Sequence, residues 1–360
     1  MRILFILELY YPNIGGIEKL FKTLAEKLVE EGHSVKVITS RFRKDLPTYE
    51  VINGVEVKRL KIRSRFLFTF FGIFGMVKEA KNCDIIHTTS FNAALPARLA
   101  GCLARKKVLI TFHEAWGRLW FKLPYAGFIS RRLYYSYEWC ILRLGFYRFI
   151  AVSDYTAESL KRLGVKNEKI IRIYNGLDYK DFDSSEHTPP KQFTFTYFGR
   201  LGISKGLDLI LGAAPAFLAE YPDTHLQMIL PDRPQSFLKK INRELQKIPR
   251  ERYTLLHKLG YAELQQTLLN STCIMIPSYS EGFCFAAAET IALGIPLISS
   301  GQGALAEVVS GKYITMASQN TEGLLLALQK AYSGKWEETP IKRFHFNDTV
   351  ENYLSLYEKV

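Results

Sequence analysis

Residues 2–9, Arg2-Ile3-Leu4-Phe5-Ile6-Leu7-Glu8-Leu9, form a short apolar run that reads as a buried strand. A turn-rich loop follows it, Tyr10-Tyr11-Pro12-Asn13-Ile14-Gly15-Gly16. From Ile17 to Glu31 apolar residues recur at Leu20, Phe21, Leu24, Leu28 and Val29, which is helical spacing, and Gly32 ends the helix. Ser34–Ser40 (Ser-Val-Lys-Val-Ile-Thr-Ser) is the next strand. Strand, helix and strand of these lengths make a βαβ unit, and a βαβ unit implies a parallel sheet.

The same alternation continues outward. Val55–Leu60, Asp84–Thr88, Lys107–Phe112 and Phe149–Val152 are further strand candidates, with helical stretches between them. After the polar, proline-containing stretch Asp183–Lys191, read as a linker, a second series begins. Its strands are Phe193–Phe198, His225–Ile229, Cys273–Pro277 and Pro296–Ser299. Two doubly wound halves in succession predict an α/β chain of two Rossmann-like domains, 1–182 and 190–344. Asp348–Lys359 is an amphipathic helix too late to complete the second sheet, so 345–360 is expected to return to the first domain. A length of 360 residues also exceeds one ordinary core.

Composition narrows the class. Hydrophobic residues at 48% and charged residues at 23% exclude disordered and collagen-like chains. The five cysteines, Cys83, Cys102, Cys140, Cys273 and Cys284, lie far apart, with no CxxC pair. They read as reduced, buried thiols of a cytosolic protein, and no metal site is expected. The start is too short and too soon acidic for a signal peptide. No uncharged apolar run of about 18 residues occurs, so membrane contact is expected to be peripheral. The charge of +13 is lopsided: residues 1–180 carry 31 Lys and Arg against 16 Asp and Glu, while 181–360 carry 17 against 19. That asymmetry points to an acidic partner for the first half, with a merely solvated basic surface as the plainer reading.

Open parallel sheets bind ligands outside the carboxyl ends of their strands, and the candidate chemistry gathers at such junctions. Gly15-Gly16 stands between the first strand and helix, where paired glycines allow close approach and helix amides favour phosphate. It is not a GxGxxG fingerprint, so a standard dinucleotide site is not expected. His113 closes the strand Lys107–Phe112, where a neutral imidazole can bond a sugar hydroxyl or polarise a reacting group. Gly199-Arg200-Leu201-Gly202-Ile203-Ser204-Lys205-Gly206 sets two cations five residues apart in a glycine-rich bend, which suits a diphosphate. Pro277-Ser278-Tyr279-Ser280-Glu281-Gly282-Phe283-Cys284-Phe285-Ala286-Ala287-Ala288-Glu289 runs from a strand into a helix. Eight helical residues rise about 12 Å, so Glu281 and Glu289 are expected at opposite ends of an extended ligand, with a helix N-terminus between them for its anion.

On these residues the chain resembles the retaining GT-B glycosyltransferases of family four, over nearly its full length. The likeness includes Ala151-Val152-Ser153, Tyr174-Asn175-Gly176-Leu177-Asp178 and the final Tyr353–Lys359, similar to the family's crossover helix. The resemblance implies two facing domains with a cleft between them and a nucleotide-sugar as donor substrate. It implies that Arg200 and Lys205, with Gly199, hold the donor diphosphate and that Glu289 holds the ribose. Glu281 and His113 then contact the donor sugar, with Gly282 and Phe283 in the same block, and Gly15-Gly16 border phosphate and acceptor. Leu259-Gly260-Tyr261 lies near the base. Gly301-Gln302-Gly303-Ala304-Leu305-Ala306-Glu307 departs from the family's Gly-Gly-x-x-Glu, which puts a role for Glu307 in doubt. The family needs no metal or other cofactor, and Asp181-Phe182-Asp183, superficially an Asp-x-Asp metal motif, reads as solvated linker.

Two stretches of the basic half join cations to aromatics. Lys58–Arg65 runs into Phe66-Leu67-Phe68-Thr69-Phe70-Phe71-Gly72-Ile73-Phe74. Residues 118–149 hold Trp120, Tyr134, Tyr135, Tyr137, Trp139 and Phe146, with six Lys and Arg against Glu138 alone. Basic helices with aromatic faces lie in membrane interfaces, so an anionic membrane surface on the cytoplasmic side and a lipid-linked saccharide or glycolipid acceptor are expected. The alternatives are a GT-B-fold nucleotide-sugar epimerase or phosphorylase, and a basic nucleic-acid-binding protein. Nucleic acid is not the expected partner, because the aromatics cluster in apolar runs and no recognition motif appears.

Overall fold

A computed structural model describes residues 1–360 apart from Ile14, Tyr125, Ala126, Asp183–Glu186 and the side chain of Asp181. Part of the expected linker and of the Asp-x-Asp match therefore lies outside the described residues. The chain divides into two compact units: Met1–Phe121, Gly127–Gly176 and Phe346–Val360 form one, while Lys122–Ala126 and Leu177–His345 form the other.

Unit 1 contains an eight-stranded sheet of β1 (Arg2–Ile6), β2 (Ser34–Ser40), β3 (Tyr49–Ile52), β4 (Val55–Leu60), β5 (Ile85–Thr89), β6 (Val108–Phe112), β7 (Arg148–Ala151) and β8 (Ile170–Arg172). Their order is β3-β4-β2-β1-β5-β6-β7-β8, parallel except for the β3–β4 hairpin. Its helices are α1 (Gly16–Glu30), α2 (Arg65–Phe71), α3 (Ile73–Lys81), α4 (Ala94–Ala104), α5 (Phe128–Leu142) and α6 (Asp154–Arg162). β5 and β6 are buried at every position, as strands covered on both faces must be; β6 is apolar but for Thr111, whereas β5 also buries His87, Thr88 and Thr89.

Unit 2 carries β9 (Phe193–Phe198), β10 (Thr224–Ile229), β11 (Tyr253–Leu256), β12 (Cys273–Ile276), β13 (Leu297–Ser299), β14 (Gly311–Thr315) and β15 (Glu337–Thr339). Their order is β11-β10-β9-β12-β13-β14-β15, with only β15 antiparallel. Helices α7 (Leu207–Glu220), α8 (Gln235–Leu245), α9 (Tyr261–Leu269), α10 (Phe285–Ala292), α11 (Leu305–Val308) and α12 (Thr321–Tyr332) cover it.

The last helix, α13 (Phe346–Glu358), belongs to unit 1. Buried polar groups fasten it there. His87 Nδ1 lies 2.6 Å from the Tyr357 hydroxyl and its Nε2 2.8 Å from Thr111 Oγ1, which is 3.2 Å from the Tyr353 hydroxyl. The His87 ring is wholly buried among aromatic neighbours, including Phe5, Phe21 and Tyr353.

Four sequence expectations need correction. The change of unit falls at Gly176–Leu177, ahead of the 183–191 stretch, because Leu177 N–H donates to the Phe344 carbonyl at 2.8 Å and Phe344 N–H to the Tyr179 hydroxyl at 2.9 Å, all inside unit 2. Cys102 and Cys140 are exposed on α4 and α5; only Cys83, Cys273 and Cys284 are buried. Arg59 is buried rather than part of a basic surface: it pairs with Glu50 and donates to the Tyr11 carbonyl at 2.8 Å, bracing the β1–α1 loop. Trp120 and Phe146 are buried as well, so they are core rather than interfacial aromatics.

Candidate functional site

In unit 2 the strand order reverses between β9 and β12, whose crossovers leave in opposite directions. Such a switch point opens a crevice at the carboxyl ends of the two strands. The loop after β9 carries Arg200 and Lys205, and the loop after β12 carries Ser278 and Glu281. Two close approaches lock them together. Tyr279 N–H donates to the Ser204 carbonyl at 2.7 Å. Gly206 takes φ +68°, and a Cβ there would stand 2.1 Å from the Pro277 carbonyl oxygen, so no other residue fits without displacing backbone.

The result is one cluster. Lys205 Nζ lies 2.8 and 2.9 Å from the two Glu281 oxygens, and the Ser278 hydroxyl donates to Glu281 Oε1 at 2.7 Å. Both charged side chains are largely enclosed, 17% and 8% exposed. A third loop backs them: Gly303 (φ +67°) places its Cα where a Cβ would be 2.4 Å from the Glu281 carbonyl oxygen, which accepts the Ala304 N–H at 2.9 Å. Arg200 is exposed, its carbonyl held by the Tyr197 hydroxyl at 3.2 Å. Gly199, with φ +148°, turns the chain out of β9.

Glu281 and Glu289 are not joined by eight helical residues. Helix α10 begins only at Phe285, after Cys284 in a left-handed conformation (φ +75°) has turned the chain. Glu289 sits half-buried in the second turn of that helix. The Phe283 ring is buried against Phe285 and Phe344, with centroids 5.3 and 5.2 Å away, so it supports the loop from inside. Gly282 is buried beside it. Glu307, in the single turn of α11, is half-buried. Gly260 precedes α9, whose first residue, Tyr261, is exposed.

Unit 1 has its own reversal, between β1 and β5. Glu8, just past β1, ion-pairs with Arg65 at the start of α2 and accepts from Asn92 Nδ2 at 2.7 Å. His113 follows β6 directly and is half-buried, its ring 6.3 Å from that of Phe21. Gly15 and Gly16 start α1, but Glu18 in the first turn folds back over Gly15, within 2.2 Å of where a Cβ would stand, and accepts from Asn13 at 2.9 Å. A carboxylate thus occupies the helix end read as a phosphate neighbour. Glu138, treated in the sequence only as a lone acid, is buried and accepts the Trp116 and Gly117 amides at 2.8 and 2.6 Å, shaping the segment after His113. Burial holds its carboxyl above the usual range, opposed by those hydrogen bonds.

Ser278 went unassigned in the sequence although its partner Glu281 is three residues on in the same loop. Gly303, Glu8, Asn92 and Glu138 went unassigned because their partners are 21 to 84 residues away in the chain. Only the fold brings those four to their partners. Among the described residues no group of three or more His, Cys, Asp or Glu side chains is placed to hold a metal ion.

Two parallel-dominated sheets with flanking helices and loop-borne polar clusters at both switch points define a two-domain α/β GT-B fold. Residues 14–181 match Glycosyltransferase Family 4, and residues 178–341 match Glycosyl transferases group 1. The chain belongs to the family-4-type, group 1 glycosyltransferases, and it is an enzyme. It is 24% identical to the gpi3 subunit of phosphatidylinositol N-acetylglucosaminyltransferase from Schizosaccharomyces pombe, over 97% of this chain and 76% of that one. To the human protein of the same transferase it is 23% identical, over 90% of this chain and 67% of that one. In fold it is similar to sucrose-phosphate synthase from Thermosynechococcus elongatus, with a TM-score of 0.80, 20% identity and coverage of 99% and 98% of the two chains.

Proposed function

We propose that the protein is a retaining glycosyltransferase that takes a sugar from a UDP- or GDP-sugar and moves it to a lipid-linked saccharide or glycolipid at an anionic membrane surface. The Lys205–Glu281–Ser278 cluster at the unit 2 switch point carries the donor half of this reading. A diphosphate arriving beside Arg200 takes up part of the Lys205 charge, which relieves Glu281 to accept a hydrogen bond from a sugar hydroxyl. Arg200 and Lys205 then meet the negative charge that develops on the leaving diphosphate, and no metal or other cofactor is required. Glu289 takes the ribose, and His113 bonds the donor sugar as a neutral imidazole.

The acceptor half is supported by the relatives named above, transferases acting on phosphatidylinositol, and by the +15 balance of residues 1–180. An inositol phospholipid is therefore the first acceptor to try and N-acetylglucosamine the first sugar. No helix among the described residues is long and apolar enough to cross a membrane, and the contact proposed is peripheral. The test is a thermal-shift screen across UDP-, GDP-, ADP- and CDP-sugars, followed by transfer of the labelled sugar of the best binder onto extracted lipid. Stabilisation by UDP- or GDP-sugars with label in the lipid phase is expected. Stabilisation by none of the four, or label confined to water-soluble products, overturns the donor or the acceptor half respectively.

A further inference from the structure

An amphipathic helix normally turns its apolar stripe inward. Helix α2 and the start of α3 do the reverse. Phe66, Phe70, Phe71 and Phe74 are 67%, 62%, 55% and 82% exposed, and Leu67 is half exposed beside them. They recur at the three- and four-residue spacing of one helical stripe, while Phe68 and Thr69 on the other side are buried. Four phenylalanines so exposed leave on the order of 500 Å² of apolar surface, at the upper end of what a soluble monomer shows in one patch. The first turns of α5 add Phe128, Ile129 and Leu133, 67%, 73% and 64% exposed. Both helices hang on the same short turn, Phe91–Ala93: the Thr69 hydroxyl donates to the Asn92 carbonyl at 3.2 Å and the Tyr137 hydroxyl to the Phe91 carbonyl at 3.1 Å.

Cations rim this stripe. Lys61, Arg63, Lys78 and Lys81 are exposed on either side of it, and the one acid between residues 61 and 81, Glu79, is held by Lys36 and Lys58 at 3.0 and 2.9 Å. On α5 the Arg132 guanidinium stacks on the Phe128 ring at 3.9 Å. A second copy of the same face would set like charges against one another. An anionic bilayer surface meets both features, because lipid phosphates take the rim and acyl chains take the rings.

We propose that α2, the start of α3 and the first turns of α5 form the membrane-inserting face, with the phenylalanine rings below the headgroups and the Lys and Arg rim among them. This rests on the lipid-acceptor reading and deepens it. Arg65, the first residue of α2, is paired with Glu8 beyond β1, so the inserted stripe starts at the ligand-binding edge of the unit 1 sheet. A headgroup could then reach that edge while its acyl chains stay in the bilayer.

The experiment is co-sedimentation of the full chain with vesicles of phosphatidylglycerol and phosphatidylcholine, at low salt and at about 1 M salt, where screening extends only about 3 Å. Wild type is expected to keep a salt-resistant bound fraction. A Phe66, Phe70, Phe71 and Phe74→Ser variant is expected to lose that fraction and bind at least about a hundredfold more weakly in high salt. Phe70→Trp supplies an independent reading: lipids brominated along the acyl chain should quench its added fluorescence. Equal sedimentation of wild type and the serine variant, or bound Phe70→Trp without quenching, overturns insertion. A dimer that forms without vesicles and is lost in the serine variant overturns it in favour of a second copy. Failure to bind vesicles while detergent-dispersed lipid is still glycosylated sinks this inference and spares the lipid acceptor; insertion with only water-soluble products does the opposite.

Discussion

The two switch points are built on one plan and finished differently. In each, a carboxylate beyond one strand is held by a cation and by a neutral side chain: Glu281 by Lys205 and Ser278 in unit 2, Glu8 by Arg65 and Asn92 in unit 1. The unit 2 pair is enclosed, and glycines on two loops allow that enclosure. In unit 1 the Arg65 side chain is 68% exposed and swings from the end of a surface helix. An enclosed, pre-set charge pair suits a small ligand of fixed shape, whose charges are met without reorganisation. A pair whose cation stands open to water while Glu8 is enclosed, beside an apolar helix, suits a partner that is large and partly outside the protein. The difference teaches that one fold can host a closed and an open site by changing only how far its loops approach.

The largest expected effect attacks the enclosure itself. Gly206→Ala must fit a methyl within 2.1 Å of a carbonyl oxygen at a positive φ, so the β9 and β12 loops must part. A loss of about 2–4 kcal/mol of stability is expected, together with loss of donor binding. Thermal unfolding with and without nucleotide reads both. If the variant is as stable as wild type and binds donor normally, the closed site does not depend on loop approach and the contrast fails.

Next come the charges within it. Lys205→Ala should lower kcat/KM by about a hundredfold or more, since a charge-assisted contact is worth about 1.5–3 kcal/mol and Glu281 loses its cation. Glu281→Gln keeps a polar partner for Ser278 but releases Lys205. It should therefore bind the free nucleoside diphosphate at least as tightly as wild type while transferring sugar more slowly. Glu289→Gln should weaken diphosphate binding. Calorimetry with the diphosphate alone separates the two, and equal weakening in both would break the division of labour.

A third expectation concerns what holds unit 1, given that its rim is open. Burial drives the His87 ring down to about pKa 3, with a smaller push from His113. An unfolded histidine titrates near 6.5, so between about pH 6.5 and 3 only the unfolded chain takes up the proton. The stability from neutral His87 is thus complete above about pH 6.5 and is lost as pH falls, on the order of 5 kcal/mol over the whole range. Urea unfolding at pH 7 and at about pH 4.5, with His87→Gln as the pH-insensitive control, checks it. A wild type whose acid sensitivity equals that of the control would put the hold on α13 elsewhere.

Much of this plan was legible in the sequence, and its limits have physical causes. Interior strands such as β6 and β12 are buried throughout and read as largely apolar runs. The strands missed, β3, β8, β11, β14 and β15, lie at or near sheet edges, have at most one buried residue each, and leave no such run. Arg200, Lys205, Glu281 and Glu289 stood out by motif. That Lys205 and Glu281 are partners did not, because 76 residues separate them and only the adjacency of β9 and β12 joins them. Phe70 and Trp120 looked alike as aromatics beside cations. Burial tells them apart, and burial depends on which way a helix faces.

The smallest expected effect is the one that most directly tests the contrast. Arg65→Ala removes the cation of the unit 1 pair. Its side chain is mostly in water, where an ion pair gains little Coulomb energy, costs side-chain entropy and is screened by salt. Glu8 keeps the Asn92 hydrogen bond, so its carboxylate is not left unpartnered. The loss of stability should stay below about 1 kcal/mol and shrink further as salt is added. Lys205→Ala, by comparison, removes an enclosed cation and leaves the enclosed Glu281 carboxylate only the Ser278 hydroxyl, so it should cost more at every salt concentration. Parallel urea titrations of the two variants at low and high salt measure the gap. Equal, salt-insensitive losses would mean that the unit 1 rim is as tightly built as the unit 2 crevice, and an acceptor half held open for a lipid would lose its physical basis.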